Sequence, residues 1–177
     1  MQITLIRHLP TEWNKNHILQ GRRDIEISPL STEDRKNIYN NLKLLKKLSP
    51  FDFILASSLK RTHQTALQYG FLPETESLLD ELDFGPFEGH SKGELIATYK
   101  NIWMESPKEL VLGESLENLE NRIILFLDKY EQASNILVFG HGSWIRALVS
   151  FCHDGQINNM NKIEIQNNQL ITLSLYK

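Results

Sequence analysis

Three short apolar runs, at residues 3–6, 53–56 and 136–139, each stop abruptly at polar residues, with amphipathic stretches between them. A brief continuous apolar run of this length reads as a buried strand. Strands that alternate with helices pair side by side into a mainly parallel sheet covered on both faces. The fold class expected is therefore α/β, a three-layer α/β/α sandwich around a mainly parallel central sheet.

Helix ends can be placed from local chemistry. Ser31-Thr32-Glu33-Asp34 has the form of an N-cap, and Ile38, Leu42, Leu45 and Leu48 follow at helical spacing until Pro50 stops the helix. A second helix is expected from about Ser58 to Tyr69, with Gly70 just past its end. Residues 78–82 read as a brief extended segment, 84–89 as turns and 92–103 as a short helix. Ser115 caps a long helix with the inner stripe Leu116, Leu119, Ile123 and Leu127, and another helix runs from Ser143 to about Cys152. The C-terminal part reads as strand at 162–165 and again at 170–176.

In open sheets of this kind, ligands bind beyond the carboxyl ends of the strands. Arg7-His8, Ser57-Ser58 and Gly140-His141-Gly142 stand at the ends of the three apolar runs, so the site is expected there. Taken singly, each motif has a bland reading as a surface pair, a helix start or a tight turn. Their order and shared position at strand ends argue for function.

At 177 residues the chain suits one domain, residues 1–177, with 73–113 as a partial cap over the site. A net charge of −3 gives no field that would favour nucleic acid or a membrane surface, so an anionic substrate needs a local cluster of cations. Cys152 is the sole cysteine, which excludes an intrachain disulfide and a thiolate metal cluster. No His-Glu-x-x-His, cysteine pair or Asp-rich loop is present, so neither a metal nor another cofactor is expected. The first residues read as a strand and not as a signal peptide, and no apolar run nears the roughly 20 residues that span a bilayer. A cytoplasmic protein is the expectation, and the oligomeric state stays open.

Four blocks together resemble the histidine phosphatase superfamily, which includes phosphoglycerate mutases and α-ribazole phosphatases. They are Arg7-His8 through Asn14 to Gln20-Gly21 and Leu30-Ser31; Ser57-Ser58 through Arg61 to Thr65-Ala66; Leu79-Asp80-Glu81 to Gly89; and Gly113-Glu114-Ser115 through Arg122 to Gly140-His141-Gly142. The resemblance implies a phosphoglycerate mutase-like fold and a phosphatase acting on a small-molecule phosphomonoester. It makes His8 the nucleophile that carries a phosphohistidine, and Arg7, Arg61 and His141 the phosphate-binding shell. Asn14 becomes an added phosphate contact and Glu81 the general acid. Gln20, Gly21 and Lys92 would lie near the organic part of the substrate. The chemistry agrees with these roles: neutral imidazole is nucleophilic near neutral pH, and paired guanidiniums grip a phosphoryl group while staying charged. Ser58 and Ser143, at helix starts, would add N–H groups facing the anion. His17, His63, His90 and His153 fall outside these roles and read as surface.

Leu9-Pro10 departs from the resemblance, since the family has Gly after the nucleophile; Pro10 pushes Leu9 toward extended geometry, which is expected to tilt the catalytic loop or narrow the pocket beside the phosphate. Three rivals remain open: a mutase, a protein phosphohistidine or phosphotyrosine phosphatase, and a non-enzymatic phosphate-binding protein. Mutases carry Tyr where Phe84 stands and an Arg pair where Met104-Glu105 follows Trp103, and a carboxylate at Glu105 would repel a doubly anionic substrate. Hydrolysis is favoured on that ground. Phe84, Phe87, Ile96 and Trp103 are expected to line the cap.

Overall fold

The computed structural model describes residues 1–175. Along the chain run β1 (Gln2–Arg7), α1 (Glu12–Lys15), α2 (Thr32–Leu48), β2 (Phe53–Ala56), α3 (Lys60–Gln68), β3 (Glu74–Thr75), α4 (Lys92–Glu105), α5 (Leu116–Lys129), β4 (Asn135–Gly140), α6 (Gly142–Asp154) and β5 (Leu170–Ser174). The strands form one sheet in the order β3-β2-β4-β1-β5. β3, β2, β4 and β1 are parallel, and β5 pairs antiparallel with β1 along the edge.

Strand alternation divides the core between two faces. Ile3, Leu5, Ile136 and Val138 point into one apolar cluster, packed by Leu119 and Ile123 of α5 and by Ile145 and Leu148 of α6. Ile6, Leu137 and Phe139 point to the other, against Ile38 and Leu45 of α2 and Ala66 of α3. Helices therefore cover both faces, as the alternation of runs implies. α4 joins the first cluster through Leu95 and Trp103.

Local chemistry fixes the helix starts. Ser31 caps α2 in a reciprocal box with Asp34, Ser91 does the same for α4 with Glu94, and Ser115 accepts the Asn118 N–H at the head of α5. α6 begins where β4 turns at His141-Gly142, and a Cβ on Gly142 would lie 3.2 Å from Nε of Arg7. The tight turn thus lets β1 and α6 meet over one guanidinium. No helix is long and apolar enough to cross a membrane among the described residues.

Two expected extended segments differ. Residues 77–79 form a 3-10 turn because Glu76 accepts the Leu78 N–H while Leu79 is fully buried. Residues 160–162 make a second such turn, and Ile163–Ile165 finds no strand partner. The β1 edge that could have paired with it is occupied by β5. The segment runs beside Arg7 instead, whose Nη1 donates to the Ile165 carbonyl at 2.6 Å. The final strand is Leu170–Ser174, and Tyr176 lies outside the described residues.

Candidate active site

His8 follows β1 directly, and its N–H extends the parallel ladder to the Gly140 carbonyl at 2.9 Å. The side chain is buried, and Nδ1 lies 2.7 Å from the carbonyl oxygen of Leu9. A carbonyl can only accept, so Nδ1 carries the ring proton and Nε2 keeps its lone pair. Burial first, then the charges of Arg61 and Arg7, hold the imidazole well below its ordinary 6.5 and keep it neutral.

Leu9 does not narrow the pocket. It is fully buried in the cluster of Ile6, Ile38 and Phe139, on the far side from the cavity, and its N–H donates to Thr65 Oγ1 at 2.9 Å.

Arg61, in the first turn of α3, is 1% exposed, and its guanidinium is held in three directions. Nη2 donates to the Gly21 carbonyl at 2.7 Å, Nη1 to the Arg23 carbonyl at 2.7 Å and Nε to Nδ1 of His141 at 3.2 Å. Gly21 reaches that position at φ +51°, where a Cβ would lie 2.0 Å from Oε1 of Glu88; only glycine serves there. Arg7 lines the same cavity, and its Nε is buried without a partner among the described residues. Burial pulls Arg7 and Arg61 down to about 10, still cationic at neutral pH.

His141 is fully buried, and its ring stands 5.3 Å from that of His8. Because Nδ1 accepts from Arg61, the proton sits on Nε2, which donates to Ser57 Oγ at 2.6 Å. Both nitrogens are engaged with protein, and His141 is not part of the cavity lining. As placed, it braces Arg61 from behind.

Glu81 is buried and lines the cavity. Its Oε1 accepts from the N–H groups of Leu82 and Trp144, and its Oε2 from that of Ser143 at 3.0 Å. Oε1 is filled by its two donors, whereas Oε2 keeps a lone pair that can bear a proton. The Ser143 N–H expected to face an anion is therefore taken by Glu81, and the Ser58 N–H by Asp80 at 2.8 Å.

One cavity of about 580 Å³ gathers Arg7, His8, Asn14, Gln20, Gly21, Arg61, Glu81 and Lys92. Asn14 is oriented by its own helix cap: Oδ1 accepts the Thr11 N–H at 3.1 Å, which leaves the NH₂ for a ligand. Gln20 Oε1 is buried and unpaired. Lys92 is pushed below its ordinary value by burial and by the charges of Arg146 and Arg7, which line the same cavity.

The cavity also holds residues that carried no sequence signal. Arg146, one turn into α6, contributes a third guanidinium, tied to the Gly142 carbonyl and to Ser143 Oγ. Its place four residues after Gly142 on one helix face was the clue available. Lys162, Glu164 and Asn167 arrive from the segment before β5, and His17, exposed at φ +56°, lines the wall instead of plain surface. His90 pairs with Glu94 and His153 is exposed, whereas His63 is half-buried near Thr75.

Phe84 and Trp103 line the cavity as expected, but Phe87 packs against Tyr99 and Ile96 is exposed outside it. Glu105 does not repel ligands here, because it lies outside the lining and pairs with Lys162 at 2.7 Å. Among the described residues no three His, Cys, Asp or Glu side chains come together as metal ligands.

Two buried neutral imidazoles make stability depend on pH. Burial lowers His141 as it does His8, so below about 6.5 the unfolded chain binds protons that the folded chain refuses. Stability is complete above 6.5 and falls as the solution is acidified, by up to about 1.4 kcal/mol per pH unit for each ring. Glu12, Glu76 and Glu94, all lowered from 4.5, add their own losses only at more acid pH. The urea midpoint should therefore drop between about pH 7.5 and 5.5; a flat midpoint would contradict the burial of two neutral rings.

The model of the histidine phosphatase superfamily, branch 1, matches residues 3–177. The chain belongs to that superfamily. Among relatives, a 2,3-bisphosphoglycerate-dependent phosphoglycerate mutase of Buchnera aphidicola is 29% identical, over 93% of this chain and 88% of its own. A phosphoserine phosphatase of Entamoeba histolytica, solved with 3-phosphoglyceric acid, superposes with a TM-score of 0.78 at 26% identity, covering 97% of this chain and 89% of that one. The α-ribazole phosphatase of Shigella flexneri shares the fold, with a TM-score of 0.79 at 23% identity over 100% and 92% of the two chains.

Proposed function

We propose that this histidine phosphatase hydrolyses a small phosphomonoester by attack of His8 on phosphorus, with no metal ion. The observation that carries this reading is the tautomer of His8. Its Nδ1–H is fixed on the Leu9 carbonyl, so Nε2 is a ready nucleophile in a side chain that lines the cavity.

Nε2 forms a bond to phosphorus as the bond to the leaving oxygen breaks, and Glu81 gives that oxygen its proton. The phosphorylated ring gains positive charge, which the Leu9 carbonyl stabilises through Nδ1–H. Water then attacks phosphorus, Glu81 takes its proton, and neutral His8 departs as phosphate is released. Arg7 and Arg61 hold the phosphoryl oxygens, His141 braces Arg61, and the free NH₂ of Asn14 adds a contact. No step needs a metal-activated nucleophile.

Residues 73–113 act as a partial cap in this reading, supplying Glu81, Phe84, Lys92, Trp103 and Met104 to the cavity wall. Gln20 and Gly21 would adjoin the organic part of the substrate. Five cations line the cavity (Arg7, Arg61, Lys92, Arg146 and Lys162) against the carboxylates Glu81 and Glu164. Lys162 is already paired with Glu105, so the other four cations, set against Glu81 and Glu164, balance a phosphoryl dianion. Mutase-type transfer, which would use the same His8 nucleophile, is the second reading, and release of inorganic phosphate separates the two. An unpaired Cys152 suits a reducing compartment such as the cytoplasm.

The test compares alkyl phosphates with p-nitrophenyl phosphate in buffers containing EDTA. Wild-type turnover should persist, and Glu81→Ala should slow the alkyl esters about 10²–10⁴-fold. The nitrophenyl ester, whose leaving group needs little protonation, should lose far less. Equal losses on both would remove Glu81 from the acid role, and activity restored only by a divalent ion would remove the metal-free mechanism.

A further inference from the structure

We infer that Asn167 is a positioning residue that sets the nucleophile and the phosphate-binding amide at once; the inference rests on the nucleophilic reading of His8. Its Nδ2 donates to the His8 carbonyl at 2.9 Å and to Oδ1 of Asn14 at 3.4 Å. One NH₂ group therefore uses its two protons on the two residues that flank the phosphoryl position from the β1 side.

Asn14 Oδ1 also accepts the Thr11 N–H and Oγ1–H, each at 3.1 Å. A backbone N–H cannot accept, so the amide orientation is unambiguous, and Asn167 supplies a third donor that opposes a flip. With Oδ1 held by these donors, the Asn14 NH₂ is presented to the cavity. A flip would turn an oxygen toward a phosphoryl oxygen.

The loop that brings Asn167 into place is itself pinned. Asn168 is buried at φ +60°, in the left-handed region that asparagine tolerates, and the Tyr69 hydroxyl donates to its Oδ1. Asn41 Nδ2 donates to its carbonyl at 2.9 Å, and its own N–H donates to the Arg7 carbonyl at 3.0 Å. Gln169 receives the Arg7 N–H through its carbonyl at 3.2 Å. The segment before β5 thus clasps the backbone of Arg7 and His8, and Asn167 is one of the residues it brings to the cavity wall.

Supporting residues of this kind typically matter about 10–100-fold when removed. Asn167→Ala should lower kcat for p-nitrophenyl phosphate by that factor with little change in melting temperature. The isosteric Asn167→Asp should lose more, because a carboxylate oxygen would face the acceptors of His8 and Asn14. Gln169→Ala, whose side chain bonds only the Gln166 N–H in the same loop, should keep wild-type kcat. Combined with Asn14→Ala, Asn167→Ala should lose less than the product of the two single effects, since part of its action runs through Asn14.

Wild-type kcat in both Asn167 variants, strict additivity with Asn14→Ala, or an equal loss in Gln169→Ala would overturn the inference. If the alanine variant fails to fold, the aspartate variant carries the test. These failures differ from failure of the mechanism: without a labelled His8 the nucleophile itself falls, whereas a labelled His8 with a fully active Asn167→Ala removes only the positioning role.

Discussion

His8→Ala should lose turnover by about 10⁴-fold or more while still binding phosphate, because the substitution removes the atom that bonds phosphorus and leaves both guanidiniums in place. The fold should survive. The ring makes one hydrogen bond, to the carbonyl of its neighbour Leu9, and the backbone N–H to Gly140 is untouched. Phosphate titrated calorimetrically into the variant should bind within a few-fold of wild type. Residual turnover above about one hundredth of wild type would remove His8 as nucleophile, and loss of phosphate binding together with melting would make it a structural histidine.

Arg61 is expected to be the most costly residue to alter after His8, in stability as well as rate. Arg61→Met strands three acceptors, the buried Gly21 carbonyl and His141 Nδ1 and the part-buried Arg23 carbonyl. At roughly 1 kcal/mol for each, stability should fall by about 3 kcal/mol. In a chain of this length that corresponds to a melting temperature lower by roughly 10 °C. Loss of a fixed charge on the phosphoryl oxygens should lower kcat/KM by about 10³-fold. Arg61→Lys keeps the charge, but a single ammonium cannot point three ways at once, so most of both losses should remain. A kcat/KM for Arg61→Lys within tenfold of wild type would show that charge alone matters and that the three-way clamp does not.

The polar ends of β1, β2 and β4 were legible because buried strands leave continuous apolar runs and the residues after them are forced to the same sheet edge. The helices capped by Ser31 and Ser115 were legible from their cap chemistry, whereas the one-turn α1 behind Thr11 was not. What escaped the sequence is non-local. Arg146 follows a helical period from Gly142, but nothing local says that this face meets a cavity. Lys162, Glu164 and Asn167 lie in a segment with no motif, and β5 pairing with β1 is what carries it past His8. The reading of Glu105 as a repelling charge failed because its partner, Lys162, stands 57 positions away in sequence. Leu9 was placed toward the wrong side, since one residue gives no alternation from which to judge direction. His141 reaches the site through Arg61, an arrangement that residue types and order do not specify.

The mechanism proposed for the site depends on a covalent bond between phosphorus and Nε2 of residue 8. Acid quenching cannot preserve that bond, so the direct measurement stops the wild-type enzyme with base during turnover of a ³²P-labelled ester. Label should then migrate with the peptide containing His8, stay bound in alkali and be released by acid, and His8→Ala should carry none. Label on a serine, or no label when the burst of leaving group shows that an intermediate has accumulated, would contradict it.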